Sequence, residues 1–123
     1  MNKILLIDDD KDFNDTLKEF LEYEGFSVIC AYNGKEGLSL IRKEKPDLII
    51  TDIVMPNVDG LEVLVELQRE PLSFPTKIIA ISGGGRIDGE YYLDTAEAFN
   101  TDYTFEKPLV VGELLKAIRE LLN

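Results

Sequence analysis

Five short apolar runs, each followed by a segment in which apolar residues recur at helical spacing, are the feature that most constrains the fold of this chain. The runs span residues 3–7, 26–31, 48–51, 76–82 and 103–105. Runs of this length are typical of buried strands, and strands that alternate with helices through short connections form a parallel sheet with helices on both faces. The sequence therefore predicts an α/β fold with a doubly wound, five-stranded parallel sheet.

The segments between the runs predict five helices. The first contains Phe13, Leu17 and Leu21 and ends at Gly25, because glycine readily adopts the left-handed conformation found at helix C-termini. The others are predicted around residues 38–41, 61–67, 92–99 and 111–122, and Pro46 and Pro71 close the first two of these. Strand and helix thus alternate to the end of the chain.

The composition predicts one cytoplasmic domain, residues 1–123, whose partners are proteins or cations. With 24 acidic and 13 basic residues, the formal net charge of −11 disfavours nonspecific binding to nucleic acid or to anionic membranes. No apolar stretch approaches the ~20 residues of a membrane span, and the acidic start of the chain is unlike a signal peptide. The chain contains no histidine, which excludes the commonest acid–base and zinc chemistry.

Asp52 is the unexpected residue of the third apolar run. A carboxylate at the tip of a buried strand is partly desolvated, which is unfavourable unless a cation or hydrogen-bond donors meet it. In an open parallel sheet, ligands bind at the edge formed by the C-terminal ends of the strands, where the strand order reverses. Four more polar residues fall at this predicted edge: Asp8 and Asp9 after the first strand, Ser82 after the fourth and Lys107 after the fifth.

Three carboxylates in one crevice indicate a cation site. They repel one another unless a hard cation neutralises them, and oxygen ligands without histidine or cysteine suit Mg²⁺. Lys107 and Ser82 would suit a phosphoryl group on Asp52. A carboxylate held in line with a phosphoryl donor can act as a nucleophile and form an acyl phosphate.

These residues give the chain its resemblance to a response-regulator receiver domain of the stand-alone chemotaxis-regulator type, over essentially all 123 residues. The resemblance implies a flavodoxin-like (βα)5 fold. The motifs that carry it are the acidic pair Asp8-Asp9, the segment from Asp52 to Met55-Pro56, Asp59-Gly60, Ser82 and Lys107-Pro108.

The resemblance also implies a role for each site residue. Asp52 would be the phosphoacceptor and a Mg²⁺ ligand, Asp9 a direct ligand, Asp8 a ligand acting mostly through water, and Val54 a ligand through its backbone carbonyl. Ser82 and Lys107 would contact the phosphoryl group, and the Lys107–Pro108 bond would be cis. These roles describe a signalling switch rather than an enzyme.

The implied partners are proteins. The phosphoryl group would come from a sensor histidine kinase or a phosphotransfer protein. A downstream protein would then read the surface formed by the helix predicted around residues 92–99, the fifth strand and the last helix.

The sequence departs from the pattern of this family at three positions. Thr104 stands where many receivers carry an aromatic residue that changes rotamer with the hydroxyl, and Tyr103 beside it should face the other side of the sheet. Val54 and Gly84 occupy the two positions whose side chains, in this family, border the path of the hydrolytic water. Because neither side chain can orient a water molecule, slow self-dephosphorylation is predicted.

Several other interpretations of the same residues remain. The spacing of Asp8, Asp10 and Asp12 resembles an EF-hand loop, but Phe13 stands where that loop requires glycine. The alternatives for the whole chain are a pseudo-receiver that binds its partner without phosphorylation and, less favoured, an aspartyl-phosphate phosphohydrolase that uses Asp8. The sequence is also compatible with a domain excised from a hybrid kinase.

Overall fold

The structure is a computed structural model that describes residues 2–53, 60–82 and 101–123. Within these ranges the strands are β1 (Lys3–Ile7), β2 (Ser27–Ala31), β3 (Leu48–Asp52), β4 (Lys77–Ser82) and β5 (Tyr103–Glu106). The helices are α1 (Lys11–Tyr23), α2 (Gly34–Glu44), α3 (Gly60–Arg69) and α4 (Val111–Leu122). The helix predicted around residues 92–99 lies outside the described residues.

All five strands form one parallel sheet in the order β2-β1-β3-β4-β5. The prediction of a doubly wound parallel sheet is therefore confirmed. The chain crosses from β1 to β2 on one side and returns to β3 on the other, so the strand order reverses between β1 and β3. Their C-terminal ends lie side by side, because Ile7 is in register with Thr51.

Each face of the sheet is covered by helices, because alternate strand residues point to opposite faces. On one face, Leu6 and Ile50 pack with Leu17 of α1 and Ile118 of α4. On the other face, Leu5, Ile7 and Ile49 pack with Ile41 of α2 and Val63 of α3. The central strands are buried on both faces, which explains their continuous apolar sequences.

Polar side chains define the starts of the first two helices. The Asp10 carboxylate accepts a hydrogen bond from the backbone N–H of Phe13 at 3.1 Å, and Asn33 caps α2 through the N–H of Glu36 at 2.8 Å. Gly25 follows α1 with a φ of 99°, as its position predicted. Among the helices described, none is long and apolar enough to cross a membrane.

Candidate functional site

The C-terminal edge of the sheet brings together side chains that are far apart in the sequence. Asp8 directly follows β1, Asp52 ends β3, and Lys107 directly follows β5. The Lys107 ammonium nitrogen lies 2.6 Å from Oδ2 of Asp8 and 3.5 Å from Oδ2 of Asp52. Lys107 therefore links the ends of β1 and β3, the two strands between which the strand order reverses.

Three carboxylates form a cluster beside this lysine. Asp8, Asp9 and Asp52 each place one carboxylate oxygen within 4.8 Å of the other two. Asp8 is 2% exposed and Asp52 is 5% exposed, whereas Asp9 is open to solvent. The cluster holds more negative charge than one lysine neutralises, and its all-oxygen donor set fits Mg²⁺. The residues present therefore fit the cation that the sequence predicted.

Both carboxylate oxygens of Asp8 have hydrogen-bond donors. Oδ1 accepts a hydrogen bond from the backbone N–H of Asp10 at 2.9 Å, and Oδ2 accepts a hydrogen bond from the Lys107 ammonium. Burial nevertheless raises the pKa of the Asp8 carboxyl, because loss of solvation outweighs the attraction of Lys107 and the bond from Asp10. The charge of Asp9 acts in the same direction as burial. Asp8 thus carries its negative charge at an energetic cost.

Lys107 is held from several directions. Burial works to lower the pKa of its ammonium group, but the hydrogen bond to Asp8 and the charges of Asp8 and Asp52 outweigh it, so the pKa is raised. The ammonium also lies 4.1 Å from the centroid of the Phe13 ring, a favourable cation–π distance. Lys107 is therefore a fixed positive charge at the site.

The backbone connects Lys107 to Ser82. The N–H of Lys107 donates to the carbonyl of Ser82 at 2.8 Å, and the Lys107–Pro108 bond is cis, as the resemblance implied. Ser82 is fully buried, and its hydroxyl oxygen has no hydrogen-bond partner among the residues that the structure describes. Ser82 thus lies at the predicted edge, while Val54 falls outside the described residues.

Two residues at this site, Phe13 and Asn14, were not assigned to it from the sequence. Phe13 was interpreted only as an apolar helix residue, yet its ring covers the lysine. The Asn14 side chain is 1% exposed and donates to the carbonyls of Asp8 and Ala31. A signal for Asn14 was present, because it shares the buried helix face of Leu17 and Leu21 although it is polar.

The aromatic residues of β5 point away from Thr104. The rings of Tyr103 and Phe105 lie 6.2 Å apart and pack against the core on the face covered by α4. The Tyr103 hydroxyl donates to the Glu120 carboxylate of that helix. Strand alternation therefore places Thr104 on the opposite face, as predicted.

Comparisons with known proteins agree on one family. The model of the family described as response regulator receiver domain matches residues 4–119. Among curated proteins, the transcriptional regulatory protein CpxR of Escherichia coli is 36% identical over all of this chain, and response regulator MprA of Mycolicibacterium vanbaalenii is 34% identical over 98% of it. The chain spans about half the length of these two relatives.

Solved structures show the same fold. A receiver domain from Bermanella marisrubri superposes with a TM-score of 0.88 at 28% identity, covering 98% of each chain. The response regulator TrrA from Thermotoga maritima, solved in complex with Mg²⁺–BeF, superposes with a TM-score of 0.83 at 31% identity, covering 99% of this chain and 100% of that one.

Proposed function

The chain belongs to the response regulator receiver domain family, and from that premise we propose that it is a phosphorylation switch in which Asp52 accepts a phosphoryl group. The observation that carries the proposal is the convergence of Lys107 on Asp52 and Asp8. A lysine positioned this way stabilises the added negative charge of a phosphoryl group.

We assign the role of nucleophile to Asp52 and the role of holding Lys107 to Asp8. Asp8 accepts a hydrogen bond from Asp10 and is the nearer carboxylate to Lys107, whose ammonium nitrogen lies 2.6 Å from Asp8 and 3.5 Å from Asp52. In the proposed reaction an oxygen of Asp52 forms a bond to phosphorus as the bond from phosphorus to the donor breaks. The electron pair of the broken bond leaves with the donor, and the product on the protein is an acyl phosphate.

Asp8, Asp9 and Asp52 would hold Mg²⁺ in this proposal, together with the carbonyl of Val54. The cation would neutralise carboxylate charge and attract phosphoryl oxygens. The cluster of three carboxylates within 4.8 Å supports this assignment for the residues that the structure describes. A second line of support is that the similar Thermotoga maritima regulator was solved in complex with Mg²⁺–BeF.

Ser82 and Lys107 would then respond to the phosphoryl group. The buried Ser82 hydroxyl, which has no partner within the described ranges, is available to donate to a phosphoryl oxygen. The carbonyl of Ser82 accepts a hydrogen bond from the N–H of Lys107, so movement of one residue would displace the other. Such movement would shift the protein between two surface states that a partner distinguishes.

The proposed donor is a phosphohistidine on a sensor kinase or a phosphotransfer protein, and the proposed output is contact with a downstream protein. An apolar groove of about 540 Å³ beside Lys107 supports docking of the donor protein next to the site. It is lined by α1 side chains, including Phe13 and Phe20, and by Pro108 and Leu109. Slow self-dephosphorylation remains a prediction from sequence, because Val54 and Gly84 lie outside the described residues.

The proposal is tested by incubating the protein with Mg²⁺ and acetyl phosphate and locating the adduct by mass spectrometry. We expect one phosphoryl group on Asp52, and none in the Asp52→Asn variant. Asp47→Asn is the matched control, because Asp47 precedes the same strand at its other end, and it should be phosphorylated like the wild type.

The other outcomes distinguish the alternatives. An adduct on Asp8 would indicate a phosphohydrolase, and no adduct under any condition would indicate a phosphorylation-independent binding module. Phosphorylation of Asp52→Asn at an undiminished rate would overturn the proposal.

A further inference from the structure

Asn14 of α1 is a buried polar residue whose side chain contacts the backbone of the carboxylate cluster. Its Nδ2 donates to the carbonyl of Asp8 at 2.9 Å and to the carbonyl of Ala31 at 3.0 Å. This orientation of the amide is determined by its surroundings, because the flipped amide would place Oδ1 against two carbonyl oxygens. Asn14 therefore ties α1 to the ends of both β1 and β2.

These bonds complete the hydrogen bonding of Asp8. Its N–H donates to the carbonyl of Ala31 at 3.1 Å, its own carbonyl accepts from Asn14, and its two carboxylate oxygens accept from Asp10 and Lys107. Asp8 lies one residue beyond the end of β1, so its carbonyl is past the paired part of the strand. The Asn14 amide provides a donor at the point where strand pairing ends.

The carbonyl that Asn14 holds belongs to the peptide bond between Asp8 and Asp9. A peptide bond is planar, so fixing its oxygen fixes the rotation of the whole unit. Both attached residues carry carboxylates of the cluster, and like charges within 4.8 Å repel. Rotation of this unit is a direct way for the two carboxylates to separate, and the Asn14 bond opposes it.

Asn14 is not an optimal residue for stability alone. Its Oδ1 is buried and has no hydrogen-bond partner among residues 2–53, 60–82 and 101–123. A buried acceptor without a donor is unfavourable. Its neighbours on the same helix face, Leu17 and Leu21, are apolar. An amide at this position is therefore better explained by what its donor group does.

We propose that Asn14 is a positioning residue that orients the Asp8–Asp9 peptide so that both carboxylates are ready to bind a divalent cation. This inference rests on the proposed function, because it concerns the same cation site. In this role Asn14 would act through the backbone carbonyl that it holds. Removing its donor should weaken cation binding in molecules that remain folded.

The test is Mg²⁺ binding to the wild type, Asn14→Ala and Asn14→Thr, measured by calorimetry below the unfolding transition. We expect Asn14→Ala to raise the Kd for Mg²⁺ about tenfold, in the range found when residues that orient metal ligands are removed. Asn14→Thr keeps a similar volume, but its hydroxyl is attached to Cβ, one bond short of the Nδ2 position, so it should weaken binding about as much as Asn14→Ala.

Leu21→Ala is the matched control. Leu21 is fully buried on the same face of α1, about 10 Å along the helix from Asn14. This variant should lower the free energy of unfolding but leave the Kd for Mg²⁺ unchanged. If Asn14→Ala loses stability while binding Mg²⁺ like the wild type, or if Leu21→Ala weakens binding equally, the positioning role is wrong.

The two proposals fail in different ways. If the wild type binds no Mg²⁺ and takes up no phosphoryl group, the proposed function fails. If the wild type does both and Asn14→Ala does both equally well, only the positioning role of Asn14 fails.

Discussion

Lys107 shows how one residue balances burial against charge at this site. Its side chain is 20% exposed, and its ammonium contacts two buried carboxylates and the Phe13 ring. Asp8 depends on this lysine, because burial raises its pKa and Lys107 opposes that rise. Removing the lysine would leave a buried carboxylate without its positively charged partner. Breaking a buried ion pair in this way strongly destabilises the fold.

We therefore predict that Lys107→Met lowers the free energy of unfolding by about 3 kcal/mol at pH 7, and by less at pH 5. Without the lysine, the pKa of Asp8 rises further. A carboxyl with a raised folded-state pKa contributes stability that is present below its unfolded pKa, about 3.9, and is lost as the pH rises through the folded pKa. The variant should thus recover part of its loss on acidification.

Urea unfolding at the two pH values measures this difference. Lys116→Met is the control, because it removes the same charge from α4, away from the carboxylate cluster. Equal losses at pH 5 and pH 7 in Lys107→Met would show that Asp8 does not depend on Lys107.

At the scale of elements, α2 approaches β1 closely at Gly37. A Cβ atom at this position would lie 2.6 Å from Cδ1 and 3.0 Å from Cγ1 of Ile7. Ile7 is 1% exposed, and it directly precedes Asp8. Glycine at residue 37 therefore lets the helix pack against the strand that positions the site.

Gly37→Ala should reduce the free energy of unfolding by about 1 kcal/mol, because overpacking costs roughly 1–3 kcal/mol and higher helix propensity returns about 1 kcal/mol. Gly112→Ala, in α4, meets no atom within 4 Å and should be neutral or stabilising. In a double-mutant cycle with Ile7→Val, which removes Cδ1, the combined loss should be smaller than the sum of the two single losses. Strict additivity would mean that Gly37 and Ile7 are not in steric conflict.

The elements themselves were largely predictable from the sequence, because apolar periodicity is a local property. Their ends were less so. The third strand extends one residue further than predicted, through Asp52. Helix α2 ends at Glu44, and its capping residue Lys45 adopts the left-handed conformation with a φ of 50°, where glycine or asparagine would be expected. The close contact between residue 37 and Ile7 was not predicted, because no local pattern in the sequence reveals it.

At the scale of the whole molecule, the strand order is what assembles the site. Asp8 and Lys107 are 99 residues apart in the sequence and become neighbours because parallel strands end at one edge. Because of that rule, the sequence alone predicted that Asp8, Asp52 and Lys107 lie close together. It could not predict that Lys107 lies closer to Asp8 than to Asp52, or that Asn14 contacts the same backbone, because those depend on side-chain packing.

The central claim is that phosphorylation of Asp52, in a crevice that binds Mg²⁺, changes the state of the domain. The most direct test is the amide NMR spectrum of wild type and Asp52→Asn, recorded first with Mg²⁺ and then after addition of acetyl phosphate. We predict that Mg²⁺ shifts the signals of Asp8 and Asp9 in both proteins. Acetyl phosphate should then shift Ser82 and Lys107 in the wild type alone. Equal shifts on acetyl phosphate in Asp52→Asn, or none in the wild type, would contradict the claim.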